Sequence, residues 1–308
     1  MDYAFLSALQ MRISPTQRRL LHWCGSFLAL VGIVFVGFRL YSYSLELDLL
    51  RITTVVWMFI ATLSIIYGAA NFLLAIAWWH LLQHFRLPVS RPESTRIFGI
   101  SQLAKYVPGN IFHLAGRQAL GMAAGLAPRA LAKSTVWELG LLAVVGAQFG
   151  WLILPLIMPH FPESISLFLL LGSVALTGTA LQGIFGRQVV YSFLWQILFM
   201  LVSGVIFIAL LLMMSGGEGL TVWHWLTIGG AYIVAWLAGL VTPGAPAGVG
   251  IRELILLLML NSVVGEKDLL MAVLLGRVVT VVGDFLFFAV ANTIPAKFSE
   301  VDKIDLSR

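Results

Sequence analysis

The sequence predicts an all-α polytopic membrane protein: about seven or eight transmembrane helices, with two re-entrant or broken helices arranged as a two-fold pseudo-repeat. Three observations carry that expectation. Hydrophobic residues make up 60% of the 308-residue chain and charged residues only 11%, where a soluble domain carries roughly a quarter charged residues. A chain this apolar cannot cover a water-facing surface with polar groups. That excludes a soluble enzyme, a disordered protein and a disulfide-stapled secreted domain. Most of the chain also falls into apolar runs of at least about 18 residues, long enough to cross a bilayer as a helix. Finally, two stretches, 94–127 and 242–262, break that pattern with Pro, Gly and Arg.

The elements follow in order. Residues 1–19 form a basic leader carrying Arg12, Arg18 and Arg19, and the run 20–41 follows it. A signal peptide has an apolar core of about 7–15 residues and a small-residue cleavage site. This run is longer and has no such site, so it reads as a retained helix. The next span, 52–82, ends in Trp78 and Trp79, which suit an interfacial belt. Further spans are expected at 131–154, 166–184, 189–214, 223–241 and 269–291. One membrane domain over 20–292, in halves 20–155 and 166–292, would precede a polar tail at 293–308.

Positive charge sets the expected orientation. Arg12, Arg18 and Arg19 precede the first span and Arg86, Arg91 and Arg96 follow the second, while the intervening loop holds Glu46 and Asp48 against Arg51. Basic loops stay in the cytoplasm, so the N-terminus is expected there. Glu163 and Glu218 then fall outside and Arg187 inside. The tail mixes both signs and leaves the count at seven or eight crossings.

The two irregular stretches share a constellation. Pro108-Gly109 is followed by seven residues and Arg117, and Pro243-Gly244 by seven residues and Arg252, so one offset, close to half the chain, relates both motifs. Transporters often place interrupted helices in corresponding positions of two halves, with the substrate between them. In the second copy, Pro243 and Gly244 end the preceding span, and a small-residue run containing Gly248 and Gly250 leads to a helix starting near Arg252. A helix N-terminus offers free N–H groups to an anion, and arginine adds a planar donor suited to phosphate. The competing reading is a hairpin whose Arg252 snorkels to the interface, paired with Glu253. The first copy has Asn110 and His113 where the second has Ala245 and Gly248, but Lys105 and Arg117 keep it basic. His113 reads either as a head-group donor or as an interfacial histidine.

Further charges lie inside predicted spans: Glu138, Arg277 and Asp284. Ionisable groups at membrane depth pair or line a wet path, and Glu138 is expected to meet Arg277 or Arg252 across the repeat boundary. His80 and His84 have the i,i+4 spacing of a metal pair, but no third ligand is in view, so no metal site is expected. Gly121 with Gly125 and Gly146 with Gly150 read as helix-packing contacts. Cys24 is the single cysteine, so no internal disulfide forms. No basic stripe with interleaved aromatics appears, which argues against a nucleic-acid partner.

These motifs resemble a known group. The stretch Lys105-Tyr106-Val107-Pro108-Gly109-Asn110 leading to Gly116-Arg117 looks like the first signature of the lysylphosphatidylglycerol synthase transmembrane-region family. The stretch from Thr242 to Glu253 looks like its second, with Ala247 where a glycine is common. Glu138 and Arg277 also fall where that family tends to carry charge. The resemblance spans 20–292 and implies a flippase-like domain in a bacterial cytoplasmic membrane, moving lipids between leaflets. The soluble aminoacyltransferase of the larger members is expected to be absent, since the chain ends about sixteen residues past its last predicted span. Lysyl-phosphatidylglycerol synthesis is therefore not implied.

The leading functional expectation is a non-enzymatic lipid translocase without a cofactor. Its partner would be a membrane lipid with a phosphate head group, with a lipid-modifying enzyme or glycosyltransferase as a companion. Lys105, Pro108, Gly109, Asn110, His113, Arg117, Pro243, Gly244, Gly248, Gly250, Arg252 and Glu253 would form the head-group site. Glu138, Arg277 and Asp284 would line or gate the path. No P-loop is present to support ATP hydrolysis. Two alternatives stand beside it. A membrane-embedded group transferase would use Glu46 and Asp48, and an exporter of a soluble anion would use the same arginines.

Overall fold

In lipid a backbone has only itself to hydrogen-bond, so long apolar runs become long helices. The computed structural model describes residues 53–107, 111–158, 160–217, 220–242, 248, 250–261 and 263–295, together with Thr16. The leader, the predicted span at 20–41, Glu46, Asp48 and most of the tail lie outside the described residues, as do Pro108, Gly109, Asn110, Pro243 and Gly244. Among the described residues there are nine helices of ten residues or more and no strand. They are α1 (Thr54–His84), α2 (Arg91–Gln102), α3 (Phe112–Ala123), α4 (Pro128–Gln148), α5 (Glu163–Phe185), α6 (Arg187–Ser215), α7 (Val222–Val241), α8 (Ile251–Leu260) and α9 (Glu266–Thr293). A 3-10 turn at Leu103–Tyr106 extends α2, and one at Phe149–Ile153 carries α4 into a last helical turn, Leu154–Ile157.

Six of these helices are long and apolar enough to cross a membrane: α1, α4 with its extension, α5, α6, α7 and α9. They coincide with six predicted spans to within three residues at each end. The irregular stretches give short helices instead. With 12, 12 and 10 residues, α2, α3 and α8 reach at most about 18 Å, well short of the roughly 30 Å hydrocarbon core.

Local chemistry sets the boundaries. Ser90 accepts from the Glu93 N–H at 3.4 Å and Pro92 lies in the first turn of α2, where the missing N–H costs nothing. Pro128 opens α4 in the same way. Gly186, at φ +83°, divides α5 from α6, a conformation that a β-carbon would strain. At the start of α7 the Thr221 N–H donates to His224 Nδ1 at 3.1 Å. α5 fully buries only Ser166 and Leu170 and packs Leu167, Val174 and Leu181 partly against the core, while Phe168, Leu171, Leu176 and Ile184 are exposed.

The packing partners recur with the offset that takes Arg117 to Arg252. In the first half, α1 packs on α2 and α4, α2 on α3, and α3 on α4. In the second, α6 packs on α7 and α9, α7 on α8, and α8 on α9. Contacts between the halves match too: α9 lies against α1 and α2, as α4 lies against α6 and α7. The equivalent helices α1 and α6 form the most extensive contact. They run antiparallel, since His80 meets Gln188 at one end while Tyr67 meets Phe199 further along.

Small residues allow α1 and α9 to touch backbone to backbone. A β-carbon at Gly283 would sit 2.8 Å from the Ser64 carbonyl oxygen and 2.9 Å from the Gly68 nitrogen. That close approach, a common device in membrane helix pairs, brings Asp284 against Asn71.

Candidate functional site

Arg117 and Arg252, the repeated arginines, both face one cavity. It measures about 90 Å³ and is lined by Lys105, His113, Arg117, Glu138, Arg252 and Arg277, with Tyr67, Phe98 and Trp236 in its apolar wall. That volume holds several water molecules. The two stretches that break the hydropathy pattern thus meet at the same place.

Three of its four cations are neutralised by carboxylates, each in a different way. Arg117 donates to Glu138 at 2.5 Å, with the two side chains only 2% and 6% exposed. Its guanidinium also lies 3.7 Å over the Phe98 ring and 5.2 Å from that of Trp78. This corrects the expectation that Glu138 meets Arg277 or Arg252 across the repeat boundary. A turn through Gly125, at φ +82°, folds α4 back along α3, so the carboxylate finds the arginine of its own half.

Arg277 donates from Nε and Nη2 to Glu253 Oε1, both at 2.6 Å, and from Nη2 to the Gly248 carbonyl at 3.0 Å. The other carboxylate oxygen of Glu253 accepts from the Gly250 N–H at 2.7 Å. Glu253 therefore ties the start of α8 to α9 and does not pair with its neighbour Arg252. Gly248, at φ +71°, also presses against Gly239 of α7, where a β-carbon would lie 2.8 Å from the Gly239 Cα. Glycine is required there on both counts. Gly248, Gly250 and Glu253, all expected in the head-group site, are here parts of the scaffold that holds Arg277.

Asp284 is the most heavily satisfied acid. It accepts from Lys105 Nζ at 2.6 Å, from Asn71 Nδ2 at 3.1 Å and from the Tyr106 hydroxyl. Gln102 donates to Asn71 Oδ1 at 3.4 Å, extending the network one residue further. Several donors offset the desolvation of a fully buried carboxyl group.

Arg252 differs from the other three. It is 9% exposed, its Nε has no hydrogen-bond partner, and no carboxylate pairs with it among the described residues. Its side chain is buried within the protein. The repeat gives a reason for the missing acid. The offset that takes Arg117 to Arg252 takes Glu138 to Val273, which is buried and apolar. The first half carries an arginine with its counter-ion. The second carries the equivalent arginine with none among the described residues. Burying an arginine that has no carboxylate partner among the described residues is expensive. His113 Nδ1 is likewise buried beside the cavity without a partner among the described residues.

Reading the sequence missed Asn71, Gln102 and Tyr106 as members of the site. Asn71 did carry a signal, as a lone amide in the middle of an apolar span. His80 bonds Gln188 at 2.6 Å, and among the described residues no three His, Cys, Asp or Glu side chains are placed to hold a metal ion. Gly121 and Gly146 pack against Leu131 and Leu237, as expected of packing glycines, whereas Gly125 serves the turn and Gly150 faces open space.

No family model, curated protein or solved structure matches the chain. Fold and site together define its class: a polytopic α-helical membrane protein with a half-open basic cavity between its helices.

Proposed function

We propose that the protein is a lipid translocase, moving an anionic phospholipid or lipid-linked sugar phosphate between the leaflets of a bacterial cytoplasmic membrane without chemical change to it. The observation that carries this reading is Arg252, buried in a cavity among membrane-spanning helices and lacking a carboxylate partner among the described residues. A desolvated guanidinium without a counter-ion is a strong site for an anion, and phosphate matches its planar donors. Phospholipids supply that group at high concentration wherever the protein resides. The apolar walls and the outward-facing helices suit a ligand whose tails stay in lipid.

The architecture supports movement as well as binding. The packing recurs from one half to the other and the equivalent helices α1 and α6 run antiparallel, so we read the halves as inverted repeats with the cavity between them. Inverted repeats that share one site can present it alternately to the two sides by rocking against each other. The Pro-Gly-to-Arg signatures, and with them the resemblance to the lysylphosphatidylglycerol synthase transmembrane-region family, point the same way. The N-terminus lies in the cytoplasm in this reading.

The test is reconstitution into liposomes with a head-group-labelled anionic phospholipid in both leaflets, quenched from outside by a membrane-impermeant reductant. With the wild-type protein the protected half of the signal decays, and with Arg252→Gln it persists as in protein-free vesicles. Decay at equal rates for both proteins would overturn the reading.

A further inference from the structure

We infer that the site is built for a head group carrying a single negative charge, a phosphodiester, and discriminates against phosphomonoesters and pyrophosphates. This rests on the translocase reading of the cavity and specifies its substrate class. Four cations, Lys105, Arg117, Arg252 and Arg277, line the cavity. The carboxylates bonded to them are three: Asp284 to Lys105, Glu138 to Arg117 and Glu253 to Arg277. At a pH well above the ordinary imidazole pKa of about 6.5, His113 is neutral. Among the described residues the cluster therefore carries one positive charge in excess, and that charge resides on Arg252.

Charge balance decides what fits. A desolvated cluster is most favourable when its net charge is zero, because each uncompensated charge in low dielectric costs several kcal/mol even after relaxation. One monoanion brings the cluster to neutrality. A dianion leaves it negative by one unless it strips Arg117 or Arg277 from its carboxylate, and those pairs are held at 2.5 and 2.6 Å. A zwitterionic head group with no net charge leaves the excess of Arg252 uncancelled. The asymmetry of the repeat sets this stoichiometry. Had the second half carried an acid at Val273, as the first does at Glu138, the cluster would already be neutral and the cavity would have no charge left to offer.

The phosphodiester monoanion has two membrane sources: an anionic glycerophospholipid, and a sugar joined to a prenyl chain through one phosphate. A prenyl pyrophosphate sugar carries too much charge for the site.

The experiment uses the full-length protein in detergent and measures binding by thermal shift and by titration of tryptophan fluorescence. Three probes are compared: dihexanoyl phosphatidylglycerol, dihexanoyl phosphatidic acid and a short-chain prenyl phosphosugar. At about pH 8 the phosphatidic acid, a monoester with a second pKa near 6, is doubly charged while the two diesters carry one charge. We expect a diester to bind at least about tenfold more tightly than the monoester, a gap of about 1.4 kcal/mol. Binding of every probe should be lost in Arg252→Gln. The better of the two diesters names the source, and either result keeps the single-charge rule. Equal or tighter binding of phosphatidic acid, lost in Arg252→Gln, would overturn the rule and leave the anion site standing. No binding of any probe, or binding indifferent to Arg252→Gln, would remove the site and the rule together. Glu138→Gln provides a second check where it folds: one more uncompensated positive charge should shift preference towards the dianion.

Discussion

Arg117 and Glu138, 21 residues apart in sequence, form an ion pair of 2.5 Å in which the side chains are 2% and 6% exposed. The pair sits in the half of the molecule that also holds Phe98 and Trp78 against the same guanidinium. Breaking a buried pair strands a charge, at a cost of about 3–5 kcal/mol, whereas replacing both partners by apolar groups is often neutral. Arg117→Met or Glu138→Leu alone should therefore lower the thermal unfolding midpoint strongly, and the double variant should recover most of the loss. Equal destabilisation by the double variant and the singles would show that the pair has no net coupling.

The α1–α9 contact makes a second prediction, through glycine. Gly283→Ala puts a β-carbon 2.8 Å from both the Ser64 carbonyl and the Tyr67 ring, and overpacking of this kind costs about 1–3 kcal/mol. Because Asp284 follows directly, the strain should also loosen its bond to Asn71. Gly178→Ala on α5 meets nothing within 4 Å and should be neutral or slightly stabilising, by helix propensity alone. Unfolding midpoints of the two variants in the same detergent compare them directly.

Tyr106 supplies the third. Its hydroxyl donates to a fully buried carboxylate, and a hydrogen bond to a charged group is worth about 1.5–3 kcal/mol. Tyr106→Phe removes that donor while keeping the ring, so stability should fall by about this amount. An unchanged midpoint would mean that Lys105 and Asn71 satisfy Asp284 without it.

How far the sequence led is clearest from particular residues. The run 189–214 and helix α6 at Arg187–Ser215 agree because an apolar run in lipid has one structural outcome. The short helices α2, α3 and α8 were legible in the same way, from prolines and glycines that no continuous span would carry. The partner of Glu138 was not. Spacing along a helix says which residues share a face, but the turn at Gly125 and the register of α4 on α3 decide which charge that face meets. Lys105 and Asp284 lie in opposite halves of the chain, and nothing local to either one announces the other. The repeat itself was visible in the shared spacing from Pro108 to Arg117 and from Pro243 to Arg252. That the same offset takes Glu138 to the apolar Val273 gained meaning only once Glu138 was seen to bond Arg117.

In the proposed reading, Arg252 is buried without a carboxylate partner among the described residues because it binds the substrate's phosphate. The two repeated arginines then behave oppositely on substitution. Removing Arg117 strands Glu138, whereas removing Arg252 relieves a desolvated charge without stranding a carboxylate among the described residues. The most direct measurement is the unfolding midpoint and the lipid-movement rate of Arg252→Met and Arg117→Met, made on the same preparations. Arg252→Met should retain or raise the wild-type midpoint while its lipid movement falls to the protein-free rate, and Arg117→Met should lose stability. An Arg252→Met protein that moves lipid at the wild-type rate would contradict this reading.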